Sequence, residues 1–309
     1  MGLGRLSKQR SKARTVLTAI AVAASCAAAV GPVASAQSQP TEQLALLYLP
    51  PAGPFAHDRG TSPSQLANRV MIGAFTYGGV WRGMQPVLDL EEALGRRLDI
   101  VHWFTNWDQP YFPEMVAAVA AAGRKPLISW QPHRQSVADI AAGHHDRYLR
   151  LWARGVRGSG GEVYLRPFPE MNGDWVPWNG EPETLKLAWR RMAAIFAEEG
   201  AGNVRWVFSP NVTDSPKTEA NRMENYYPGD DVVDVLALDG YNWGTTREWT
   251  AWRSFEEVFN TGYERIITLG SQPVWFDENK EADWRMVADP EVATIFRQAL
   301  ANSSPLALR

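Results

Sequence analysis

From residue 70 onward, short apolar runs alternate with stretches of helical periodicity, and no other feature restricts the fold of this chain so strongly. The strand-length runs fall at 70–76, 100–104, 125–130, 162–168, 204–209, 233–238 and 273–276. Between them lie amphipathic patterns at 91–98, 113–122, 137–154, 182–199 and 252–267. In the fourth of these, Leu185, Ala188, Trp189, Met192 and Phe196 recur at the three- and four-residue intervals that place them on one helical face. The repeat is close to the ~30 residues of a βαβ unit and predicts parallel strands joined by helices. The strands are continuously apolar instead of alternating, as in a sheet covered by helices. No Gly-x-Gly-x-x-Gly follows the first run, which disfavours a dinucleotide fold. The expected fold is α/β, a TIM (β/α)8-type barrel. Seven strands can be counted, so the barrel is expected to be one βα unit short.

The first 36 residues stand apart from this pattern. Arg5, Lys8, Arg10, Lys12 and Arg14 precede an alanine-rich apolar run at 16–30, and Ala34-Ser35-Ala36 offers a small-residue cleavage site. This is the order of a secretory signal peptide, too short in its apolar part for a comfortable membrane span. Cys26 is a candidate lipid-anchor cysteine, although Ala23-Ala24-Ser25 before it lacks the expected large aliphatic residue. We therefore expect a leader at 1–36, an N-terminal stub and approach segment at 37–68, and one domain at 69–309. Removing the five basic residues of the leader takes the formal net charge from −3 to −8. A mildly acidic surface disfavours nucleic acid and anionic membranes as partners and suits a neutral ligand. A secreted monomer is expected, with no cofactor and no metal. The adjacent His144 and His145 would point to different faces of a helix and read as surface residues.

All 14 tryptophans lie beyond the leader. Aromatic faces stack on the C–H faces of sugar rings, but Trp is also the largest core side chain, so each one has two readings. Candidates for such platforms are Trp103, Trp107, Trp130, Trp175, Trp178 and Trp243. Reacting groups of a barrel enzyme sit just past the C-terminal ends of its strands. The run at 162–168 ends in Tyr164-Leu165-Arg166-Pro167-Phe168-Pro169-Glu170-Met171-Asn172-Gly173-Asp174-Trp175. Glu170 is therefore placed where a general acid belongs, with apolar neighbours raising its pKa and Arg166 opposing them. Solvation or helix capping is the plainer explanation for a carboxylate there.

The segment Arg-x-x-x-Glu-Met-Asn-Gly-x-Trp resembles the acid/base signature of glycoside hydrolase family 26, which contains β-mannanases, some β-1,3-1,4-glucanases and xylanases. The stretches 102–107, 129–132, 203–211 and 233–244 are similar to other strands of that family, and the likeness runs from about 70 to 309. The resemblance implies a retaining endo-β-glycanase acting on mannan or mixed-linkage β-glucan. Glu170 would be its acid/base, Asn172 and Asn211 would contact sugar hydroxyls, and Tyr241 would hydrogen-bond the nucleophile.

Two departures accompany the likeness. Pro169 stands where many mannanases of the family carry His, so a hydrogen-bonding group is absent there, which weakens the case for mannan. A retaining glycosidase also needs a second carboxyl group about 5–5.5 Å from the first. Gln272-Pro273 resembles the opening of the family's seventh strand but runs straight into Val274-Trp275-Phe276-Asp277-Glu278, which resembles the end of the eighth. By this resemblance the segment that carries the family's nucleophile is missing between Pro273 and Val274. Glu278 is the replacement candidate, and its plainer reading is a solvated member of a charge cluster; Asp239 is a weaker one. The competing readings are thus an active hydrolase, a carbohydrate-binding relative without turnover, and an internally deleted product.

Overall fold

The computed structural model describes residues 42–48, 70–76, 79–245, 248–269 and 272–275. Its eight strands form one sheet in chain order: β1 Glu42–Tyr48, β2 Val70–Thr76, β3 Ile100–Asn106, β4 Lys125–Gln131, β5 Val163–Pro167, β6 Val204–Phe208, β7 Val235–Leu238 and β8 Gln272–Trp275. Strands β2 to β8 are parallel, each beside the next. Helices cover the sheet: α1 Gln85–Leu94, α2 Pro113–Ala121, α3 Val137–Ala142, α4 Asp146–Ser159, α5 Pro182–Glu198 and α6 Phe255–Ile266. The expected barrel with seven parallel strands is what the chain builds.

One strand was not anticipated. The segment expected to be a stub contributes β1, which runs antiparallel to β2 in a register from Glu42↔Thr76 to Tyr48↔Val70. The two edge strands of the sheet, β1 and β8, approach within 8 Å from Cα to Cα. The sheet thus curls most of the way round, bringing together edges that would otherwise stand far apart as templates for aggregation.

Helix boundaries follow capping chemistry more than apolar period. The first helix begins at Gln85, with Pro86 in its first turn, and ends at Gly95, whose left-handed φ of 62° caps it; the expected 91–98 helix is displaced by this glycine. The expected helix 137–154 is two helices, because Gly143 takes a φ of 92° and closes α3 before α4 starts. Ser254 Oγ accepts a hydrogen bond from the Glu257 backbone N–H, and the Ser254 backbone N–H donates to the Glu257 carboxylate, a capping box that sets the start of α6. Helix α5 buries the predicted face, Leu185, Ala188, Trp189, Met192 and Phe196, together with Ile195.

Strand alternation separates two kinds of buried side chain. On one face lies a string of polar groups: His102 on β3, Ser129 on β4 and Arg166 on β5. On the other face of β4, Trp130 meets Trp152 of α4 at a ring-centroid distance of 4.6 Å and Phe196 of α5 at 6.1 Å. The barrel interior thus carries this polar string beside Phe75, Phe104 and Leu127, while the layer between sheet and helices is aromatic and apolar.

Candidate active site

The loop after β5 leaves the strand through strained backbone. Phe168 and Glu170, neither of them glycine, have φ values of 51° and 55° on either side of Pro169. Left-handed conformations at such residues cost on the order of 1–3 kcal/mol and cluster at functional sites. Two backbone bonds hold the turn: the Glu170 amide donates to the Ser209 carbonyl at 2.8 Å, and the Gly173 amide donates to the Glu170 carbonyl at 2.8 Å.

The carboxyl group of Glu170 is fully buried, at 0% exposure. Trp175 Nε1 donates to Oε2 at 3.0 Å, and Asn211 Nδ2 donates to Oε1 at 2.6 Å. Both donors are neutral. Each donor fixes one carboxyl oxygen, so the group is held in a single orientation. Gly173 explains how Trp175 reaches this position: a Cβ there would lie 2.4 Å from the indole ring, so only glycine lets the ring fold back over the loop.

Arg166, which the sequence placed beside Glu170, is engaged elsewhere. Its Nη2 donates to Asp239 Oδ2 at 2.5 Å with both side chains fully buried, and Ser209 Oγ donates to the same oxygen at 2.6 Å. Asp239, weighed as a substitute nucleophile, is thus committed to an internal ion pair. Nearby on β3, His102 contacts Ser129 Oγ through Nε2 at 2.8 Å. Burial, helped by the Arg166 charge, pushes its pKa well below 6.5, so the ring is neutral at ordinary pH.

Asn172 and Asn211 are cross-linked. The Asn211 amide donates to Asn172 Oδ1 at 2.7 Å, and Asn172 Nδ2 donates to the Asn211 carbonyl at 2.9 Å and to Asp214 Oδ1 at 2.9 Å. Asn172 is fully buried and its amide is spent within the protein, so it holds the Glu170 loop to the β6 loop instead of facing outward. Asn211 Nδ2, which would carry a glycan on the Asn-Val-Thr acceptor motif, is bonded to Glu170. A second layer escaped the sequence reading. Asn221 Nδ2 donates to the Asn172 and Pro216 carbonyls at 2.8 and 3.0 Å, and its Oδ1 accepts from Asn179 Nδ2 at 2.8 Å and from the Tyr226 hydroxyl at 2.7 Å. Asp214 in turn pairs with Arg265 of α6 at 2.9 Å. Partners 39–49 residues apart leave no local signal; only the density of Asn after strand ends hinted at them.

The tryptophan candidates divide. Trp103, Trp107 and Trp130 lie in the core, with Trp107 stacked on Trp130 at 4.7 Å and Trp130 Nε1 bonded to the Tyr148 hydroxyl. The cause is strand parity: Trp103 and Trp130 occupy the faces opposite His102 and Ser129. Trp178 is also buried, donating from Nε1 to the Pro169 carbonyl at 2.8 Å and so underpinning the Glu170 loop. Trp175 and Trp243 are half-buried, and Trp243 lies 5.8 Å from the half-buried Tyr241 ring. His144 is exposed beside Asp139, 3.0 Å away. Among the described residues no cluster of His, Cys, Asp and Glu is arranged to hold a metal, and no helix is long and apolar enough to cross a membrane. Glu278, Cys26 and the 1–36 leader lie outside the described residues.

A strained, buried carboxyl group thus stands at the C-terminal end of a parallel barrel strand, where barrel enzymes carry their reacting groups. The model of "Glycosyl hydrolase family 26" matches residues 150–270. Endoglucanase H of Acetivibrio thermocellus is 34% identical over 275 residues, which covers 73% of this chain and 30% of that protein. Mannan endo-1,4-beta-mannosidase A and B of Caldalkalibacillus mannanilyticus is 34% identical over 97 residues, covering 28% of this chain and 18% of that protein. The chain therefore spans less than a third of the length of either relative. A solved Bacillus subtilis mannanase superposes with a TM-score of 0.48 at 16% identity, covering 72% of this chain and 81% of that one. Residues 150–270 belong to glycosyl hydrolase family 26, and the likeness to Endoglucanase H extends over 73% of the chain.

Proposed function

We propose that this chain is a secreted endo-β-glycanase that hydrolyses a neutral plant-type polysaccharide, with Glu170 as its acid/base. The observation that carries the reading is the Glu170 carboxyl group, held in left-handed backbone at the end of β5 by Trp175 and Asn211. Family membership supports glycoside hydrolysis as the reaction. Secretion rests on the signal-like order of basic, apolar and small residues at 1–36.

Two features favour β-glucan over mannan. Pro169 replaces the His that resembles part of the mannanase pattern, and the alignment with an endoglucanase extends over far more of this chain than that with the mannosidase. In the proposed mechanism Glu170 protonates the glycosidic oxygen as a second carboxylate attacks the anomeric carbon. Glu170, now ionised, then takes a proton from the water that releases the glycosyl intermediate. Glu278 is the candidate nucleophile, since Asp239 is held by Arg166.

That engagement of Asp239 also favours a second reading, in which the chain binds sugar without turnover. Reducing-sugar release from mixed-linkage β-glucan, mannan and xylan separates the two. We expect release from β-glucan that Glu170→Gln and Glu278→Gln both abolish. Binding of β-glucan with no release from any of the three would instead favour the second reading, and release undiminished in Glu278→Gln would remove the nucleophile assignment.

A further inference from the structure

We infer that Trp249 and Trp252, on the loop between β7 and α6, form a stacking platform for distal units of the same β-glycan chain whose linkage is offered to Glu170. The inference rests on the reading of the chain as a β-glycanase and extends it to residues outside the acid-bearing loops.

The loop starts at the site itself. Asp239, just past β7, is bridged in parallel to Asn211, the residue bonded to Glu170. Tyr241 and Trp243 follow, their rings 5.8 Å apart, and Trp243 passes the series on to Trp249 at 6.3 Å. Trp252 sits over Gly244, close enough that a Cβ there would be in ordinary contact with its ring at 3.7 Å. The series thus leads from the site outward, and its far members are bare: Trp249 is 77% exposed, Trp252 70% and Phe255 48%.

This exposure is not the looseness of an untethered loop. Asn242 ties the two ends together: its Nδ2 donates to the Arg253 carbonyl at 2.6 Å, and its Oδ1 accepts from the Arg253 amide at 3.0 Å and the Gly244 amide at 3.2 Å. The Ser254 capping box then fixes the chain as it enters α6. Two indoles presented to water on a braced loop contribute little to folding, and exposed apolar surface of this kind marks a binding site. The chemistry of the occupant follows from that of the surface. Indole faces offer apolar, polarisable area with one N–H donor at the edge, matching a sugar ring that is apolar on its C–H face and hydrogen-bonding at its rim. Exposed Glu248, Arg253 and Glu256 place charges of both signs around the platform, so no single-sign field selects a polyanion. Continuity with the site selects the polysaccharide over a second copy of this chain.

The test is calorimetric binding of cellohexaose and cellotriose to the Glu170→Gln protein, alone and with Trp249→Ala, Trp252→Ala or both. We expect the single changes to weaken cellohexaose severalfold and the double change about tenfold or more. The ratio of cellohexaose to cellotriose affinity should fall towards one, and Trp249→Phe with Trp252→Phe should restore most of it. An unchanged ratio in the double alanine variant overturns the inference, as does an absence of cellohexaose binding before either Trp is changed. Sedimentation that shows a wild-type dimer dissociated by the double change assigns the surface to a second copy and overturns it too. The underlying reading fails separately: Trp-dependent binding without turnover by the wild-type protein keeps the platform and removes the hydrolase, whereas Glu170-dependent turnover with an unchanged ratio does the reverse.

Discussion

The loops after β5 and β6 and the loop after β7 meet at the same mouth of the barrel, yet they are built on opposite terms. Around Glu170, side chains are buried and their polar groups are matched over long sequence distances, from Asn172 to Asn211, Asp214 and Asn221. Around Trp249 and Trp252 the side chains are exposed, and one residue, Asn242, fastens the loop by its bonds to Arg253 within the same loop. The difference separates two demands. A group that must transfer a proton has to be held in one geometry, which takes a network of partners. A surface that only stacks on a ligand needs area and a firm base.

If this contrast is sound, the largest stability loss should come from the buried side. Arg166→Met leaves the Asp239 carboxylate buried without its cation, and about 3–5 kcal/mol should be lost in urea unfolding. A loss below about 1 kcal/mol would mean that the pair is not the keystone of the interior. Asn221→Ala strips partners from Asn179, Tyr226 and the Asn172 carbonyl, and roughly 2–3 kcal/mol should go with them. Because Asn221 reaches Glu170 indirectly, through Asn172 and through Asn179 on the Met171 carbonyl, its loss should also lower kcat more than it raises KM; a change in KM alone would confine it to binding.

The pH dependence of stability offers a finer probe. The folded-state pKa of His102 lies below its ordinary 6.5, so the unfolded chain binds the extra proton first as pH falls. Its contribution is fully present above pH 6.5 and is lost as pH drops from there towards the folded value. Thermal melts from pH 8 to pH 5 should show the midpoint declining below 6.5, and His102→Gln should flatten that decline. An identical slope in the variant would place the acid sensitivity elsewhere. The smallest effect belongs to the exposed loop: Ser254→Ala removes the cap of α6 and should cost about 1 kcal/mol. A cost rivalling that of Arg166→Met would erase the distinction between the two regions.

The parallel strands were legible because each is a continuous apolar run that only a covered sheet can bury. Strand β1 carries a similar apolar run at 44–49, but a proline pair follows it and its partner β2 begins more than twenty residues later, so the segment read as an approach to the domain. The break between α3 and α4 could have been read from Gly143, where apolar spacing alone suggested one helix. The position of Glu170, just past the end of β5, was legible from the apolar run before it. The tryptophans were less so. Counting strand parity from His102 and Ser129 would have assigned Trp103 and Trp130 to the helix-facing side, whereas nothing local distinguishes Trp249 as exposed. Long-range networks such as that of Asn221 have no sequence period at all.

The central claim is that Glu170 donates the proton to the departing sugar. Rates of Glu170→Gln and wild type on β-glucan, compared with an aryl β-glycoside whose leaving group needs no protonation, test it most directly. The account predicts a loss of about 10²–10⁴-fold on the polysaccharide and a far smaller one in cleavage of the aryl bond. Equal losses on both substrates, or wild-type rates on β-glucan, would contradict it.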